Sequence, residues 1–599
     1  MYKLFLTLRY LRLRFIAYLP MVAVALSVFL LLVSASVMNG FLHKIEIAAK
    51  GLYGDIVIEP TSARGVGEYD AFIRDIKANV PEVEEASPFM FTYGMIESDY
   101  FDNRQAVQVV GIRLPERVRV SSFGNGLFFQ KPPDGSHPTQ LAYAWTHTQP
   151  AAPFTYDPNK VSFDPNFILL ATRMKQVQDD TNALINDMEQ RSQETGKALD
   201  DSDLKLLGDL RTATNIQENS IRRLLVASDA QGRMATLQRQ IDRPGKRTEA
   251  QVDQLREQLN ELSEVTGITP PDRRAIMGLG VPGFSFRTTE GKTIRVIGPG
   301  QKVAVTIVPL GMESITGQEL VPQREEFTIV DDCRTDVAPI DSNVVYLPFE
   351  TLQRLNNMGP QVADDDPNKI VVPARCSQIH VKVRDEAGIA ALESKDGVKR
   401  PRGQALESLV ARKIEGRWVK FAKDHPQAAP GMNMRVQTWR ERQAQIVNQI
   451  AAQRTLVVIM FSISGLVCAV LVFAIFYMIV YQKTKDIGVI KAVGGSSGGV
   501  AGIFLSYGAA VGLVGAAIGI VGGYVFVRNI NPVHDWVGQT FGLVIWSRDW
   551  FMFDNIPNEV EPTTVFWIAL YAVAAGLIGA IVPSVLAAWK QPVEALRYE

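Results

Sequence analysis

Four stretches of this 599-residue chain run for about 28 residues or more without Asp, Glu, Lys, Arg or His: 15–42, 455–482, 492–527 and 562–589. Roughly 20 apolar residues in helical form cross the hydrocarbon core of a bilayer. Each stretch is therefore long enough to span, and a wholly soluble chain is excluded. The mean composition hides this, because 47% hydrophobic and 21% charged residues would suit an ordinary globular protein. Lys and Arg number 62 against 63 Asp and Glu, which leaves a net charge of −1. That balance offers no basic excess for nucleic acid, and no nucleic-acid-binding motif occurs.

The pattern predicts spans at 18–41, 455–482, 498–527 and 563–589. The first follows a basic start (Lys3, Arg9, Arg12, Arg14) and contains Val33-Ser34-Ala35, a passable cleavage site. Its apolar run is about twice the 7–15 residues of a secretory signal core, so a retained anchor is expected. Orientation follows the Lys and Arg of short loops. The amino-terminal tail has four basic residues, and the loop 483–497 has Lys483, Lys485 and Lys491 against Asp486. The loop 528–562 has only Arg528 and Arg548 against five acids. The reading that fits is a cytoplasmic 1–17, 483–497 and 590–599, with 42–454 and 528–562 outside the cell membrane.

The large outer segment reads as mixed α/β, giving an α+β membrane protein of one amino-terminal and three carboxy-terminal spans. Strand patterns occur at 54–60, 106–112, 302–309, 326–330, 344–347 and 378–383, and helical spacing at 70–80, 348–357 and 386–392. An interval from about 166 to 263 is rich in Gln, Glu, Asp, Arg and Leu. Met174, Val177, Thr181, Leu184 and Met188 recur there at spacings of three and four. So do Val252, Leu255, Leu259 and Leu262, after a capping box of Thr248 and Gln251, with Pro244-Gly245 breaking the helix before it. A helical hairpin or small coiled-coil bundle projecting from the body is expected, either a local insertion or a partner-docking arm.

Catalytic chemistry is missing from the pattern. His43, His137, His147, His380, His425 and His534 are scattered without metal-ligand spacing. Gly291-Lys292-Thr293 lacks the glycine a phosphate loop needs, since Phe286 stands there. Asp364-Asp365-Asp366-Pro367 lacks the alternation of a calcium loop. No metal, bound cofactor or catalytic group is expected in the chain. Cys468 falls in the second span as a packing residue, while Cys333 and Cys376 share the outer side, where a disulfide is permitted. No span carries a charge, which argues against an ion pathway. Gly508, Gly512, Gly515, Gly519 and Gly523 instead form a small-residue face for close helix packing, within a bundle or between subunits.

The short loop reads Lys483-Thr484-Lys485-Asp486-Ile487-Gly488-Val489-Ile490-Lys491-Ala492-Val493-Gly494-Gly495. Ile487, Ile490 and Val493 would form one apolar stripe on a short helix stopped by the two glycines. Such a turn could rest on the membrane or dock in a groove of a cytoplasmic partner. This stretch resembles the Glu/Asp-Ile-Gly-x-x-Lys/Arg-Ala-x-Gly signature of FtsX-like ABC transporter permeases. Further similarities follow in order. Leu8-Arg9-Tyr10-Leu11 resembles the family's amino-terminal amphipathic helix. Ser36-Val37-Met38-Asn39-Gly40-Phe41 and Thr438-Trp439-Arg440-Glu441 resemble the lipoprotein-releasing branch. Phe553-Asp554-Asn555-Ile556-Pro557 and Pro592-Val593-Glu594-Ala595-Leu596-Arg597 complete the series. The edges of the outer segment are similar to the MacB-like periplasmic core of macrolide exporters, whereas the 166–263 insertion departs from it.

This resemblance implies a non-catalytic permease in a bacterial inner membrane. Two copies of a separate cytoplasmic ATPase would bind ATP and Mg, and a second permease subunit would complete the dimer. The coupling loop would comprise Lys485, Asp486, Ile487, Gly488, Ile490, Lys491, Ala492 and Gly494. Stalks at 44–51 and 439–454, with Asn39, Gly40, Phe41, Trp439 and Arg440 at their roots, would carry motion to a periplasmic partner or lipoprotein cargo. Aspartate at Ile487 and Ile490 is then expected to uncouple the ATPase with folding intact. A signalling scaffold for a periplasmic enzyme and a small-molecule efflux permease are the alternatives.

Overall fold

The computed structural model describes residues 18–61, 65–98, 101–127, 163, 167–195, 201–242, 249–266, 270–287, 293–295, 297–309, 321–335, 338–363, 366–426, 428, 434–541, 543, 546 and 555–591. Leu8-Arg9-Tyr10-Leu11, Pro244-Gly245, Thr248, His137, His147, Gly291-Lys292, Asp364-Asp365, Phe553-Asp554 and the 592–597 tail lie outside the described residues, as does the side chain of Cys468. The chain divides into a helical unit, from residues up to 46, 443–551 and 555 onward, and a sheet unit built on 47–442.

Helix α1 (Tyr18–Tyr53) is uninterrupted and contributes residues to both units. The sheet unit follows with β1 (Ile56–Pro60), α2 (Tyr69–Asn79), β2 (Val83–Ser98) and β3 (Phe101–Ile112). Three long helices come next: α3 (Phe167–Thr195), α4 (Asp201–Asp242) and α5 (Glu249–Thr266). After them run β4 (Arg274–Gly278), β5 (Lys302–Ile307), β6 (Gln323–Cys333), β7 (Val344–Pro348), β8 (Gln378–Val383), α6 (Gln404–Asp424) and β9 (Met434–Thr438). The nine strands lie in the order β9-β1-β8-β2-β3-β7-β4-β6-β5. The long strand β2 gives its first half to β8 (Ala86 opposite Val381) and its second half to β5 (Met95 opposite Thr306), with β3 along its other edge. Six strands therefore close into a ring, β2-β3-β7-β4-β6-β5, which leaves them without the open edge that invites aggregation. Pairings β3–β7 and β4–β6 are parallel and the others antiparallel.

Period-two alternation sorts the strand side chains into two cores. Val109, Ala275, Met277, Val345 and Leu347 join one cluster with Phe72, Trp418 and Phe421 from α2 and α6. Val110, Ile112, Ile276, Val344 and Tyr346 join another with Leu114, Val118 and Phe123. The strand and helix patterns read from the sequence fall on β1, β3, β5–β8, α2, Phe349–Leu355 and Glu386–Asp396. Strands β2, β4 and β9 and helix α6 show no such pattern in the sequence. Their apolar positions are interrupted by Glu, Ser, Arg and Lys side chains, and Lys413 of α6 reaches Glu82, just ahead of β2, at 2.6 Å.

The insertion is three helices rather than a hairpin. Its seam on α3 runs through Ala171, Met174, Gln178, Thr181 and Ile185, while Leu184 and Met188 are only half-buried. Neighbouring positions Leu210, Ala213, Gln217, Ser220 and Leu224 of α4 are buried. The 42 residues of α4 reach about 63 Å at 1.5 Å per residue. Its middle does not project freely. Ala213 joins the sheet unit's main cluster, and Leu224 lies where a side chain on Gly300 would be 3.2 Å away.

In the helical unit, α7 (Ala444–Gln482), α8 (Thr484–Ala492), α9 (Ser497–Arg528), α10 (Ile530–Phe541) and α11 (Pro562–Trp589) complete the chain. Among the described residues three helices are long and apolar enough to cross a membrane: Tyr18–Ile47, Ser497–Arg528 and Pro562–Trp589. The expected second span lies within α7, where Ala469–Gln482 stands out as a shorter apolar helical segment. Residues 439–454 are not one helix. Trp439–Arg442 forms a short turn of helix, and the backbone leaves helical geometry at Gln443 (φ −96°, ψ 16°) before α7 begins.

Candidate functional site

The loop between α7 and α9 folds into a nine-residue helix, α8. Gly494 adopts φ 98°, and the Gly495 amide donates to the Ile490 carbonyl at 2.9 Å. That closes α8 in the manner glycine allows and other residues resist. Ser496 then accepts from the Gly499 amide at 3.1 Å and starts α9.

The face that α8 turns inward differs from the face expected to dock. Ile487 is 2% exposed and sits in a cluster with Val480, Val500, Phe504 and Ala587, with Ile490 partly buried beside it. These side chains come from α7, α9 and α11, so the isoleucines hold α8 to its own bundle. Lys491 is turned inward as well: its ammonium donates to the Ala588 carbonyl at 2.5 Å and to the Lys590 carbonyl at 2.9 Å. It closes carbonyls at the end of α11, as a basic residue near a helix C-terminus does. The outward face carries Lys485, Asp486, Val489, Ala492 and Val493, with Val489 51% and Val493 85% exposed. Lys483 pairs with Asp486 at 2.5 Å along that surface. The spacing 485, 489, 493 is also a helical stripe, a weaker apolar signal in the sequence than the isoleucines.

In the second half of α1, Asn39-Gly40-Phe41 meets the loop that precedes α11. The Glu559 amide donates to the Ser36 carbonyl at 3.0 Å, and a Cβ on Gly40 would stand 2.6 Å from the Asn558 nitrogen. Asn39 lies 3.4 Å from the Glu561 carboxylate and 3.5 Å from the Thr564 hydroxyl, and Phe41 meets Trp546 edge-on at 6.4 Å. Asn558 donates to the Val527 carbonyl at 2.7 Å, and Asn531 exchanges bonds with the backbone of Ile556. Residues 36–41 of α1, the end of α9 and the start of α11 are thus gathered by one collar, and two of the motifs quoted from the sequence meet there where Gly40 packs on Pro557.

Trp439 and Arg440 belong to the sheet unit. The Glu441 carboxylate accepts from the Thr438 amide at 2.8 Å, and the Glu441 amide donates to the Thr438 hydroxyl at 3.2 Å. Thr438-Trp439-Arg440-Glu441 is therefore a capping box, a local signal the sequence contained. The buried Trp439 ring lies 5.7 Å from the Lys50 ammonium and 5.0 Å from the Arg440 guanidinium.

The small-residue face of α9 serves two partners along its length. Gly508 and Gly512 pack on Ala580 and Val573 of α11, and Gly515, Gly519 and Gly523 pack on Val24, Ala25 and Leu32 of α1. At Gly519 a Cβ would be 2.5 Å from the Ala25 carbonyl. Gly576 and Gly579 of α11 make equally close contacts, to α9 and α7.

The disulfide that the sequence permitted is not formed. Cys333 and Cys376 are both free and buried. Cys333 lies in the cluster with Phe123 and Tyr346, and Cys376 in the one with Phe72 and Trp418. The sheet stands between those clusters, and burial pushes both thiols above their ordinary pKa. Among the described residues no group of His, Cys, Asp and Glu could hold a metal ion.

Residues 458–592 match the family of FtsX-like permease C-terminal domains. The lipoprotein-releasing system transmembrane protein LolC of Xylella fastidiosa (strain Temecula1) is 28% identical over 164 residues, covering 27% of this chain and 40% of that protein. LolC of Neisseria meningitidis serogroup B is 22% identical over 349 residues, 56% of this chain and 73% of its own length. LolE of Haemophilus influenzae is 27% identical over 179 residues, 30% and 42% respectively. The chain spans about two fifths of the length of the Xylella relative it matches.

Proposed function

Because this chain belongs to the FtsX-like permeases, on the branch of LolC and LolE, we propose that it is the membrane subunit of an ABC transporter whose ATPase is a separate cytoplasmic chain. Two ATPase copies bind ATP and Mg, and a second permease subunit, this chain or another, completes the assembly. Four spans hold it in a bacterial inner membrane, with the helical α8 end cytoplasmic and the sheet unit periplasmic. The observation that carries this reading is the construction of α8. Its inner face is locked to α7, α9 and α11 through Ile487 and Lys491, while Lys485, Asp486, Val489 and Val493 form an exposed ridge. A push on that ridge reaches three bilayer-crossing helices at once.

The work done outside is release of a lipoprotein from the membrane. An apolar groove of about 270 Å³ supports this, lined by Leu31, Ala35, Met38, Trp567, Ile568 and Tyr571. It has the chemistry to take an acyl chain from the side, with no charged path through the spans. The continuous helix α1 carries motion from the membrane toward the sheet unit.

Affinity purification of the chain in mild detergent, followed by mass spectrometry, tests the proposal. A small cytoplasmic ATPase and an acylated protein are expected to accompany it. Recovery without any ATPase, or labelling of Lys483 and Lys485 by impermeant reagents outside sealed cells, would overturn it.

A further inference from the structure

Helix α10 (Ile530–Phe541) begins two residues after α9 ends at Arg528, with only Asn529 between them. A helix joined so tightly to a bilayer-crossing one starts at the membrane surface. Its residues are sorted for that place. At 100° per residue, Ile530, Val533, Trp536, Val537 and Phe541 share one arc, and Asn531, Asp535 and Gln539 share the opposite one. Only part of the apolar arc is spent on the protein: Ile530 is buried and Val533 and Val537 are half-buried, which leaves the two rings outward. Trp536 is 59% exposed and Phe541 63%, their rings meet edge-on at 6.0 Å, and Leu543 just beyond is 59% exposed. Phe566 and Trp567, in the first turns of α11, are also exposed at 62% and 65%. Aromatic side chains of this kind favour the boundary between headgroups and acyl chains.

Asn531 on the polar arc and His534 at the edge of the apolar one have a different task. Asn531 accepts from the Ile556 amide at 2.8 Å and donates to the Ile556 carbonyl at 3.3 Å. The Trp546 amide donates to His534 Nε2 at 3.1 Å. These bonds tie α10 to the same loop that grips Gly40 and the Ser36 carbonyl.

We propose that α10 is an interfacial anchor that lies flat in the headgroup region of the bilayer, on the periplasmic leaflet, with Trp536 and Phe541 inserted into lipid. The occupant of this face is the lipid that α9 crosses, by continuity of the chain. The anchor holds the collar around Asn39-Gly40-Phe41 at constant depth while the bundle moves. The assignment of leaflet rests on the topology proposed above; the insertion into lipid does not.

Nitroxide labels decide it in the full chain, reconstituted with its co-purifying partners in nanodiscs of phosphatidylethanolamine and phosphatidylglycerol. The labelled variants are Trp536→Cys, Phe541→Cys and Asp535→Cys in a Cys468→Ala background, the other two cysteines being buried. Labels at 536 and 541 are expected to relax more with oxygen than with a water-soluble nickel chelate, and the label at 535 the reverse. Equal access of the chelate to all three would overturn the proposal. Protection of 536 and 541 from both reagents would also overturn it, by showing that a second subunit covers the face. A label at Leu513, exposed in the middle of α9, must read lipid for the span itself. If 541 reads lipid but an impermeant maleimide reaches 535 only from the cytoplasmic side, the topology fails and the anchor stands.

Discussion

The Lys491 ammonium at the end of α8 donates to the Ala588 carbonyl of α11, 97 residues further along the chain, at 2.5 Å. With the second bond to Lys590 it makes a short coupling helix and the last span one mechanical piece. Lys491→Met keeps the stem and removes the donors. It is expected to cost about 1 kcal/mol in bundle stability and to reduce cargo release while the ATPase still co-purifies. Lys491→Arg should retain release. Loss of ATPase co-purification with Met would show instead that Lys491 belongs to the docking surface.

Val489→Asp and Val493→Asp place charge on the exposed ridge and should abolish ATPase recruitment with thermal unfolding in detergent unchanged. Ile487→Asp buries a carboxylate among Val480, Val500, Phe504 and Ala587, and should destabilise the bundle by several kcal/mol. Melting temperature and co-purification of the three variants separate the two faces of α8. Equal behaviour of all three would refute the separation.

Gly519 and Gly522 are three positions apart on α9 and should respond oppositely. Alanine at 519 meets the Ala25 carbonyl at 2.5 Å and the Val28 side chain at 2.7 Å, an overpacking cost of roughly 1–3 kcal/mol. Alanine at 522 meets only the edge of Phe29 at 3.8 Å and should be neutral or gain up to about 1 kcal/mol from helix propensity. Denaturant unfolding of both variants measures the contrast.

His380 is fully buried, with the Arg117 guanidinium 2.7 Å from Nδ1 and Gln378 3.0 Å from Nε2. Burial, then the charges of Arg117 and Arg442, hold its pKa well below the ordinary value. The unfolded chain therefore binds a proton that the folded one refuses, so stability falls as pH drops below about 6.5, by up to 1.4 kcal/mol per unit. Thermal unfolding followed between about pH 7 and pH 5 should show this slope, and His380→Gln should flatten it. An unchanged slope would assign the dependence elsewhere.

Cys333 and Cys376 should remain reduced in protein exposed to oxidant. Alkylation under native conditions should be slow for both, and complete after denaturation without a reducing agent. A mass shift seen only after reduction would contradict the buried, separated thiols.

Much of this architecture was legible because it is written in local periodicity. Runs free of charge marked α1, α9 and α11, alternation marked β1, β3 and β5–β8, and the glycine spacing on α9 marked a close-packed face. What periodicity cannot express is the partner. Ile487, Ile490 and Val493 share one apolar spacing, yet the fold buries the first, half-buries the second and exposes the third. The glycine stripe likewise turns from α11 to α1 partway along one helix face.

The sequence by itself determined that this chain crosses a membrane, where its helices and most strands run, and which stretches carry family-specific signals. Those follow from solvent preference and backbone geometry, which act within a few residues. Only the tertiary structure decided that the sheet closes into a ring, that two cysteines stand on opposite sides of it, and that Lys491 braces α11. Each depends on residues tens to hundreds of positions apart, brought together by burial of surface that no single segment can cover alone.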